Sequence, residues 1–168
     1  MNFPPKAPAN GANVHMTVPL FNVTDMAAAR EFYIGGLGFR QKLAWTPDDS
    51  NAMRWCWLEL EGVAVMLQQF WREDGPDSAK PDLAKNGGWE EGQPLGAGIT
   101  ICFICKDALA VRREALSRGL APTQAPFVGN GLWVVSYTDP DGYRLDFESP
   151  TDVEEGTEFD AGVHGLGR

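Results

Sequence analysis

The side chains with the greatest capacity for chemistry include three cysteines in a chain of 168 residues. Cys102 and Cys105 form a C-x-x-C pair, a spacing that redox and zinc sites use. The apolar run at 99–105 predicts a buried strand, however, and side chains three positions apart on a strand point to opposite faces. A zinc site would also need a second pair. We therefore interpret Cys102, Cys105 and Cys56 as buried free thiols in a reducing compartment.

The hydroxyl side chains give little indication of nucleophilic catalysis. Ser117, Ser136 and Ser149 have no histidine pattern nearby, although activation of a serine needs an adjacent base. The sequence also has no glycine-rich phosphate loop. Metal-free acid–base chemistry by Asp146 or Glu59 remains open, because a carboxylate can serve as a general acid or base.

Composition excludes several classes of partner. The chain carries 23 acidic against 14 basic side chains, a formal net charge of −9, which argues against nucleic acid and anionic membranes as partners. No apolar run approaches the roughly 18 residues that span a bilayer, and the N-terminus lacks the apolar stretch of a secretory signal. These features predict a cytoplasmic protein.

The elements that must position these side chains occur in the same order in both halves of the chain. Asp25 and Asp107 are good helix N-caps, and turns rich in glycine or proline separate the strands. The first half predicts a strand at 14–22, a helix at 26–33, a strand at 39–45 and a hairpin of 54–59 with 63–70. The second half predicts a strand at 99–105, a helix at 108–118, a strand or extended segment at 121–127 and a hairpin of 132–137 with 143–148.

The spacing of equivalent residues indicates an internal repeat. Asp25 and Asp107 are 82 positions apart, and the turn glycines Gly62 and Gly142 are 80 apart. We predict an α+β fold of two tandem β-α-β-β-β modules whose curved mixed sheets enclose a cleft. The predicted divisions are a mobile N-terminal arm at 1–13, the first module at 14–70, a linker or flap loop at 71–95, the second module at 96–150, and an acidic, Gly-rich and mobile tail at 151–168.

The duplicated module resembles the vicinal oxygen chelate superfamily of glyoxalases, extradiol dioxygenases and bleomycin-resistance proteins. The resemblance spans roughly residues 14–150. Its motifs are VPLFNVTD at 18–25, FY at 32–33, GLGF at 36–39 and TDPDGYRLDFE at 138–148. It implies the fold, but it does not imply one activity, because this scaffold hosts many.

The metal-dependent members of this superfamily take one ligand from the first and one from the last strand of each module. Mapped through the motifs, these positions are Val18, Met66, Thr100 and Asp146. Only Asp146 offers a carboxylate, so the conventional metal site is expected to be absent and no cofactor is predicted. The histidines do not replace the missing ligands, because His15 has the opposite strand parity to Val18 and His164 lies in the tail.

Strand parity predicts which side chains line the cleft. They are Val18, Leu20, Met66, Gln68, Phe70, Thr100, Cys102, Arg144, Asp146 and Glu148. Trp55 and Trp57, which share one face of their strand, are added because they could stack on an aromatic ligand. The first-module members are mainly apolar and the charged ones cluster on the last strand. This pattern favours a planar or apolar organic ligand with a polar or cationic group near Asp146. Asp146 beside Arg144 is also compatible with a purely local ion pair.

The absence of the conventional ligands makes the chain most similar to the bleomycin-resistance-like branch. That resemblance implies a homodimer that sequesters a small molecule, with Pro19 favouring exchange of the N-terminal arm between subunits. Two alternatives stay open. One is a glyoxalase-like lyase, isomerase or dioxygenase with an atypical metal site, and the other is a regulatory or interaction module.

Overall fold

The computed structural model describes residues 13–14, 16–48, 51–69 and 93–164. The predictions that concern the N-terminal arm to residue 12, His15 and Phe70 lie outside these residues. The same holds for the predicted flap, apart from its last three residues, 93–95.

Two four-stranded mixed sheets form the fold, which confirms the predicted α+β class. The first sheet has the strand order β1-β4-β3-β2, and the second has the order β5-β8-β7-β6. The elements of the first module are β1 (Leu20–Val23), α1 (Met26–Arg30) with a π-helical extension (Glu31–Gly36), β2 (Arg40–Trp45), β3 (Trp55–Leu60) and β4 (Val63–Gln69). Those of the second module are β5 (Thr100–Ile104), α2 (Ala108–Ser117), β6 (Phe127–Gly129), β7 (Leu132–Thr138) and β8 (Arg144–Pro150), followed by α3 (Ala161–His164).

The internal repeat is visible in the strand registers. β1 pairs with β4 in parallel, placing Leu20 opposite Met66. β5 pairs with β8 in parallel, placing Cys102 opposite Asp146. The two pairs are related by the same offsets of 82 and 80 residues that the sequence shows, so Met66 and Asp146 occupy equivalent places in their sheets.

Local sequence explains where the helices and one hairpin begin. Asp25 accepts hydrogen bonds from the backbone N–H groups of Ala27 and Ala28, and Asp107 accepts one from Ala110. These bonds satisfy donors that a helix start leaves unpaired. In the β3–β4 turn, Glu61 and Gly62 have φ values of 46° and 95°, as a two-residue hairpin requires.

Two predicted strands differ from the structure. The strand predicted at 14–22 begins only at Leu20, because Pro19 has no N–H to donate and contributes its carbonyl alone, to Met66. The segment predicted at 121–127 forms a strand only from Phe127, as β6.

The first helix is also longer than the predicted 26–33. It continues to Gly36 as a π-helical segment, in which the N–H of Leu37 reaches the carbonyl of Phe32 at 3.0 Å. Such segments arise where an extra residue is accommodated in a helix. Here the segment carries Tyr33, whose side chain is buried against the second module.

One hydrophobic core spans both modules and lies on the helix side of both sheets. Phe21, Leu58 and Leu67 from the first sheet and Leu145 and Phe147 from the second belong to the same cluster of buried side chains. Because neighbouring side chains on a strand alternate between faces, the other face of each sheet points away from this core. We call these the open faces.

Contacts on the helix side join the two modules. Tyr33 donates its hydroxyl hydrogen to Asp139 at 3.0 Å, and Thr24 donates both its backbone N–H and its hydroxyl to Asp141 at 3.0 and 2.7 Å. The rings of Phe39 and Phe103 meet edge to face at 6.2 Å. The modules therefore share polar as well as apolar contacts at their junction.

Residues 151–164 are not the mobile tail that the composition predicts. The backbone N–H of Val128 donates to the carbonyl of Thr157, and that of Phe159 donates to the carbonyl of Pro126. These bonds connect this segment to the region of β6. The Glu155 carboxylate accepts hydrogen bonds from the backbone of Asn130 and Gly131. The prediction treated the acidic side chains as mutually repelling, whereas Glu155 is held by N–H groups of the β6–β7 turn.

Within the described part of the chain, no helix combines the length and the apolar character needed to cross a membrane.

Candidate functional site

The open face of the first sheet carries most of the predicted cleft residues of the first module. Trp57 lies opposite Met66, and Trp55 lies opposite Gln68. Leu20 follows on the other side of Met66 and is exposed. These five side chains therefore lie on one surface, as strand parity predicts, while their role in binding stays a prediction.

A further tryptophan extends this surface. Trp45 on β2 lies directly opposite Trp55, and 46 % of its surface is exposed. Trp57 is fixed next to this pair, because its indole N–H donates to Glu59 at 2.9 Å. Glu59 in turn lies 3.7 Å from the ammonium group of Lys42. Three indoles thus occupy adjacent positions on this face. Trp57 is buried and held by a carboxylate, whereas Trp45 and Trp55 remain partly accessible.

A shallow recess opens at the Trp45 end of this face. Its volume is about 200 Å³, and it is lined by Trp45, Arg54, Trp55, Gln68 and Gln69. Pockets that hold drug-sized ligands span roughly 300–1,000 Å³. The recess is therefore large enough for one ring system of a ligand rather than for a whole large molecule.

The open face of the second sheet is polar. Arg144 donates from Nε to both carboxylate oxygens of Asp146, at 2.8 and 3.1 Å, and from Nη2 to Ser136 at 3.0 Å. These bonds to Asp146 raise the pKa of Arg144. Asp146 is buried, so its charge is balanced by a local partner.

A thiol and two carboxylates lie together on the same face. Ligand atoms of Cys102, Asp146 and Glu148 are all within 4.8 Å of one another, a grouping that could hold a metal ion. Partial burial, followed by the nearby Glu148, raises the pKa of the Cys102 thiol. In the absence of a metal the protonated thiol is therefore favoured over the thiolate.

The cysteines are free, but they are not all buried. Cys56 is buried in the core, Cys105 is half-buried, and Cys102 is exposed. The prediction of a fully buried strand at 99–105 is wrong for one face, since Thr100 and Ile104 share the exposed side with Cys102. Apolar composition alone did not reveal that this strand covers the core with only one face.

Comparison with known proteins decides the family. The family model described as Glyoxalase/Bleomycin resistance protein/Dioxygenase superfamily matches residues 14–147. The chain belongs to this superfamily. No curated protein sequence shows a significant match.

Three solved structures show the same fold. UcmS2 aligns with a TM-score of 0.59 at 14 % identity, covering 82 % of this chain and 98 % of its own. A glyoxalase/bleomycin resistance protein/dioxygenase from Nocardioides gives 0.55 at 13 % identity, covering 90 % and 94 %. TioX from Micromonospora sp. ML1 gives 0.54 at 17 % identity, covering 83 % and 99 %. At these identities the likeness establishes the fold alone.

The metal site that some members of the superfamily use does not fit the residues present here. Of the four mapped positions, Val18 has no donor atom, Met66 offers only a thioether, and Thr100 offers a neutral hydroxyl. The remaining carboxylate, Asp146, is engaged through both oxygens by Arg144. Hard divalent ions prefer carboxylate, carbonyl or water ligands, and zinc, iron and nickel also prefer imidazole, so this set cannot replace their hydration shell.

Several residues of the open faces escaped the sequence analysis. Asn22 lies opposite Gln68, Leu43 lies opposite Trp57, and Ser136 lies opposite Asp146. Their parity within each strand is visible in the sequence, but the register between strands is not. A rule that extends parity across a sheet needs that register.

Proposed function

We propose that the protein binds a small aromatic organic molecule on its open faces and acts by sequestering it, without a metal. The observation that carries this proposal is the pair of accessible indoles, Trp45 and Trp55, beside the buried Trp57 on a face turned away from the core. Indoles offer large, rigid surfaces on which an aromatic ligand can stack. Sequestration needs no nucleophile and no activated water.

The second sheet would select the polar part of the ligand. Arg144 balances the charge of Asp146, whereas Glu148 on the same strand face forms no ion pair with any residue that the structure describes. A cationic or hydrogen-bond-donating ligand group is therefore expected to contact Glu148 first, with Asp146 and its arginine beside it. Charge-assisted hydrogen bonds of this kind are about twice as strong as neutral ones.

We further propose that the protein is a cytoplasmic homodimer. The open faces point away from the core shared by both modules, and apolar Leu20 and Ile104 are exposed on them. A second copy would bring the open face of its second sheet to the indoles of the first. The ligand would then be enclosed between an aromatic and a polar wall.

Tryptophan fluorescence tests binding directly. We expect a neutral probe, 2-naphthol, and a cationic one, N-methylquinolinium, to quench the emission saturably. Trp55→Leu should weaken the binding of both probes at least about fivefold, because stacked aromatic pairs contribute about 1 kcal/mol. Glu148→Gln should weaken only the cationic probe. Leu116→Ala, on the exposed surface of α2, is the control, and equal effects in it and in Trp55→Leu would contradict the proposal.

A second candidate function is a glyoxalase-like lyase, isomerase or dioxygenase with an atypical metal site. The proximity of Cys102, Asp146 and Glu148 favours it. The engagement of Asp146 by Arg144 weighs against it. Metal analysis of the purified protein separates the two candidates.

A further inference from the structure

Residues at one level of the first sheet form a row across all four strands. Asn22 on β1 lies opposite Gln68 on β4, Gln68 lies opposite Trp55 on β3, and Trp55 lies opposite Trp45 on β2. Phe21 and Val23, the two neighbours of Asn22, are buried in the core, so Asn22 itself points to the open face. Two carboxamides thus lie beside two indoles.

The next row along the strands has a different chemistry. Leu20, Met66, Trp57 and Leu43 follow one another across the same four strands. This apolar row offers no hydrogen bonds except through the Trp57 N–H, which Glu59 already accepts. The ability to form hydrogen bonds is therefore concentrated in the carboxamide half of the first row.

The two carboxamides have the properties expected of groups that await a ligand. Both Asn22 and Gln68 are half-buried, and neither side chain has a hydrogen-bond partner among the described residues. Each offers one acceptor and two donor hydrogens, and adjacent strands lie about 4.8 Å apart. Gln69 differs, because its amide bonds the backbone of Met26 and Thr24 at the start of α1.

From this juxtaposition we propose that the row recognises a planar aromatic ring that carries an amide or lactam group. The ring stacks on Trp45 and Trp55 in the 200 Å³ recess, and the amide lies over Gln68 and Asn22, which satisfy its donor and its acceptor. Each half-buried carboxamide is open to water on one side, and such a ligand would replace that water with a fixed hydrogen-bond partner. This inference rests on the proposed function and specifies its ligand class at the first sheet.

Equilibrium dialysis against two matched probes tests it: 2-naphthamide, which carries the amide, and 2-methylnaphthalene, which does not. We expect the full chain to bind 2-naphthamide about tenfold more tightly. Gln68→Met, which keeps the side-chain volume, should weaken 2-naphthamide about 5- to 10-fold and leave 2-methylnaphthalene within about twofold. Asn22→Leu should act in the same direction.

The control is Gln41→Met, which changes an exposed carboxamide of the same sheet that lies opposite the buried Leu58 and hence off the open face. Its affinity for 2-naphthamide should stay within about twofold of the unmodified chain. Equal affinity of the unmodified chain for the two probes, or equal losses in Gln41→Met and Gln68→Met, would overturn the inference and leave the aromatic site standing. Failure of both probes to bind would contradict the proposed function as well.

Discussion

Arg144 holds Asp146 through both carboxylate oxygens, with Nε at 2.8 Å from one and 3.1 Å from the other. The arginine side chain remains 42 % exposed, whereas that of Asp146 is 9 % exposed. The pair therefore presents a guanidinium rather than a carboxylate to the open face. A ligand that approaches Asp146 meets a neutral pair with its positive side outermost.

The stability of the second sheet should depend on this pair. We expect Asp146→Asn to lower the free energy of unfolding by about 1 kcal/mol, since a charge-assisted bond is worth somewhat more but solvent screens the half-exposed arginine. Urea denaturation measures the change. Glu148→Gln, on the same strand face, should change it by less than about 0.5 kcal/mol. Equal losses in the two variants would show that the pairing with Arg144 is not what matters.

Metal content is the sharpest test against an enzymatic role. We expect less than about 0.1 equivalent of zinc, manganese, iron or nickel per chain after purification without chelator, because Arg144 already engages both oxygens of Asp146. Elemental analysis provides the measurement. About one ion per chain that is lost in Cys102→Ser would instead support the atypical metal site.

Self-association is expected to use the open faces. Light scattering should give a dimer at tens of micromolar, and Ile104→Asp should shift it towards monomer, because a carboxylate would be placed in an apolar contact. Val163→Asp is a matched control, since Val163 is 70 % exposed and Ile104 69 % while Val163 lies on α3. A monomeric unmodified chain, or equal dissociation in both variants, would contradict the dimer.

Asp139 should make stability depend on pH at the module junction. Burial raises the pKa of its carboxyl above the ordinary 3.8, although hydrogen bonds from Tyr143 and Tyr33 partly oppose this. The folded carboxyl keeps its proton to higher pH than the unfolded one. Its contribution to stability is therefore fully present below pH 3.8 and is lost as pH rises through the folded pKa.

Asp139→Asn removes this titration and keeps an oxygen for the two backbone N–H groups that Asp139 accepts. Urea denaturation from about pH 4 to about pH 7 should show a smaller decline of stability with rising pH in the variant. Asp107→Asn, which retains N-capping ability, should keep the decline of the unmodified chain. An unaltered decline in Asp139→Asn would assign the pH dependence to other groups.

The thiols should react in an order set by exposure and pKa. Cys102 is exposed and should be alkylated before Cys56, because burial raises the pKa of Cys56 to about 11. Partial burial and the nearby Glu148 also raise the pKa of the Cys102 thiol. Its alkylation rate should therefore keep increasing to a higher pH than that of an ordinary thiol. Glu148→Gln should accelerate alkylation of Cys102 at about pH 8 by about 2- to 5-fold.

Mass spectrometry of iodoacetamide-treated protein follows each site, and the same reaction in urea provides the reference. Once the chain is unfolded, the differences between Cys102 and Cys56 and the effect of Glu148→Gln should disappear. A faster reaction at Cys56 than at Cys102 in the folded protein would contradict the burial that the structure shows.

Short-range sequence signals were sufficient to predict the fold, because the residues that define the turns and helix caps lie within those turns and caps. Asp25 and Asp107 cap their helices as predicted, and Gly62 supplies a backbone conformation that other residues rarely adopt. β6 was misplaced although its signal was present. Asn130 and Gly131, with φ values of 55° and 72°, form the kind of two-residue turn that marks a hairpin.

The site was less predictable than the fold because it depends on pairing between distant strands. Parity within β3 placed Trp55 and Trp57 on one face, but only the register with β2 brings Trp45 beside them. Nothing in the local sequence shows that Arg144 takes both oxygens of Asp146 and also reaches Ser136 on β7. Such partners become visible only when neighbouring strands are aligned in their register.

The bonds between residues 126–129 and 156–159 have a consequence for aggregation. β6 is the outermost strand of its sheet, and an unpaired outer strand is a template on which other molecules add strands, as in fibrils. The backbone of Val128 forms hydrogen bonds with both Gly156 and Thr157, and the backbone of Phe159 forms one with Pro126. The chain therefore terminates this sheet with its own backbone, and any molecule that would extend the sheet there must first displace that segment.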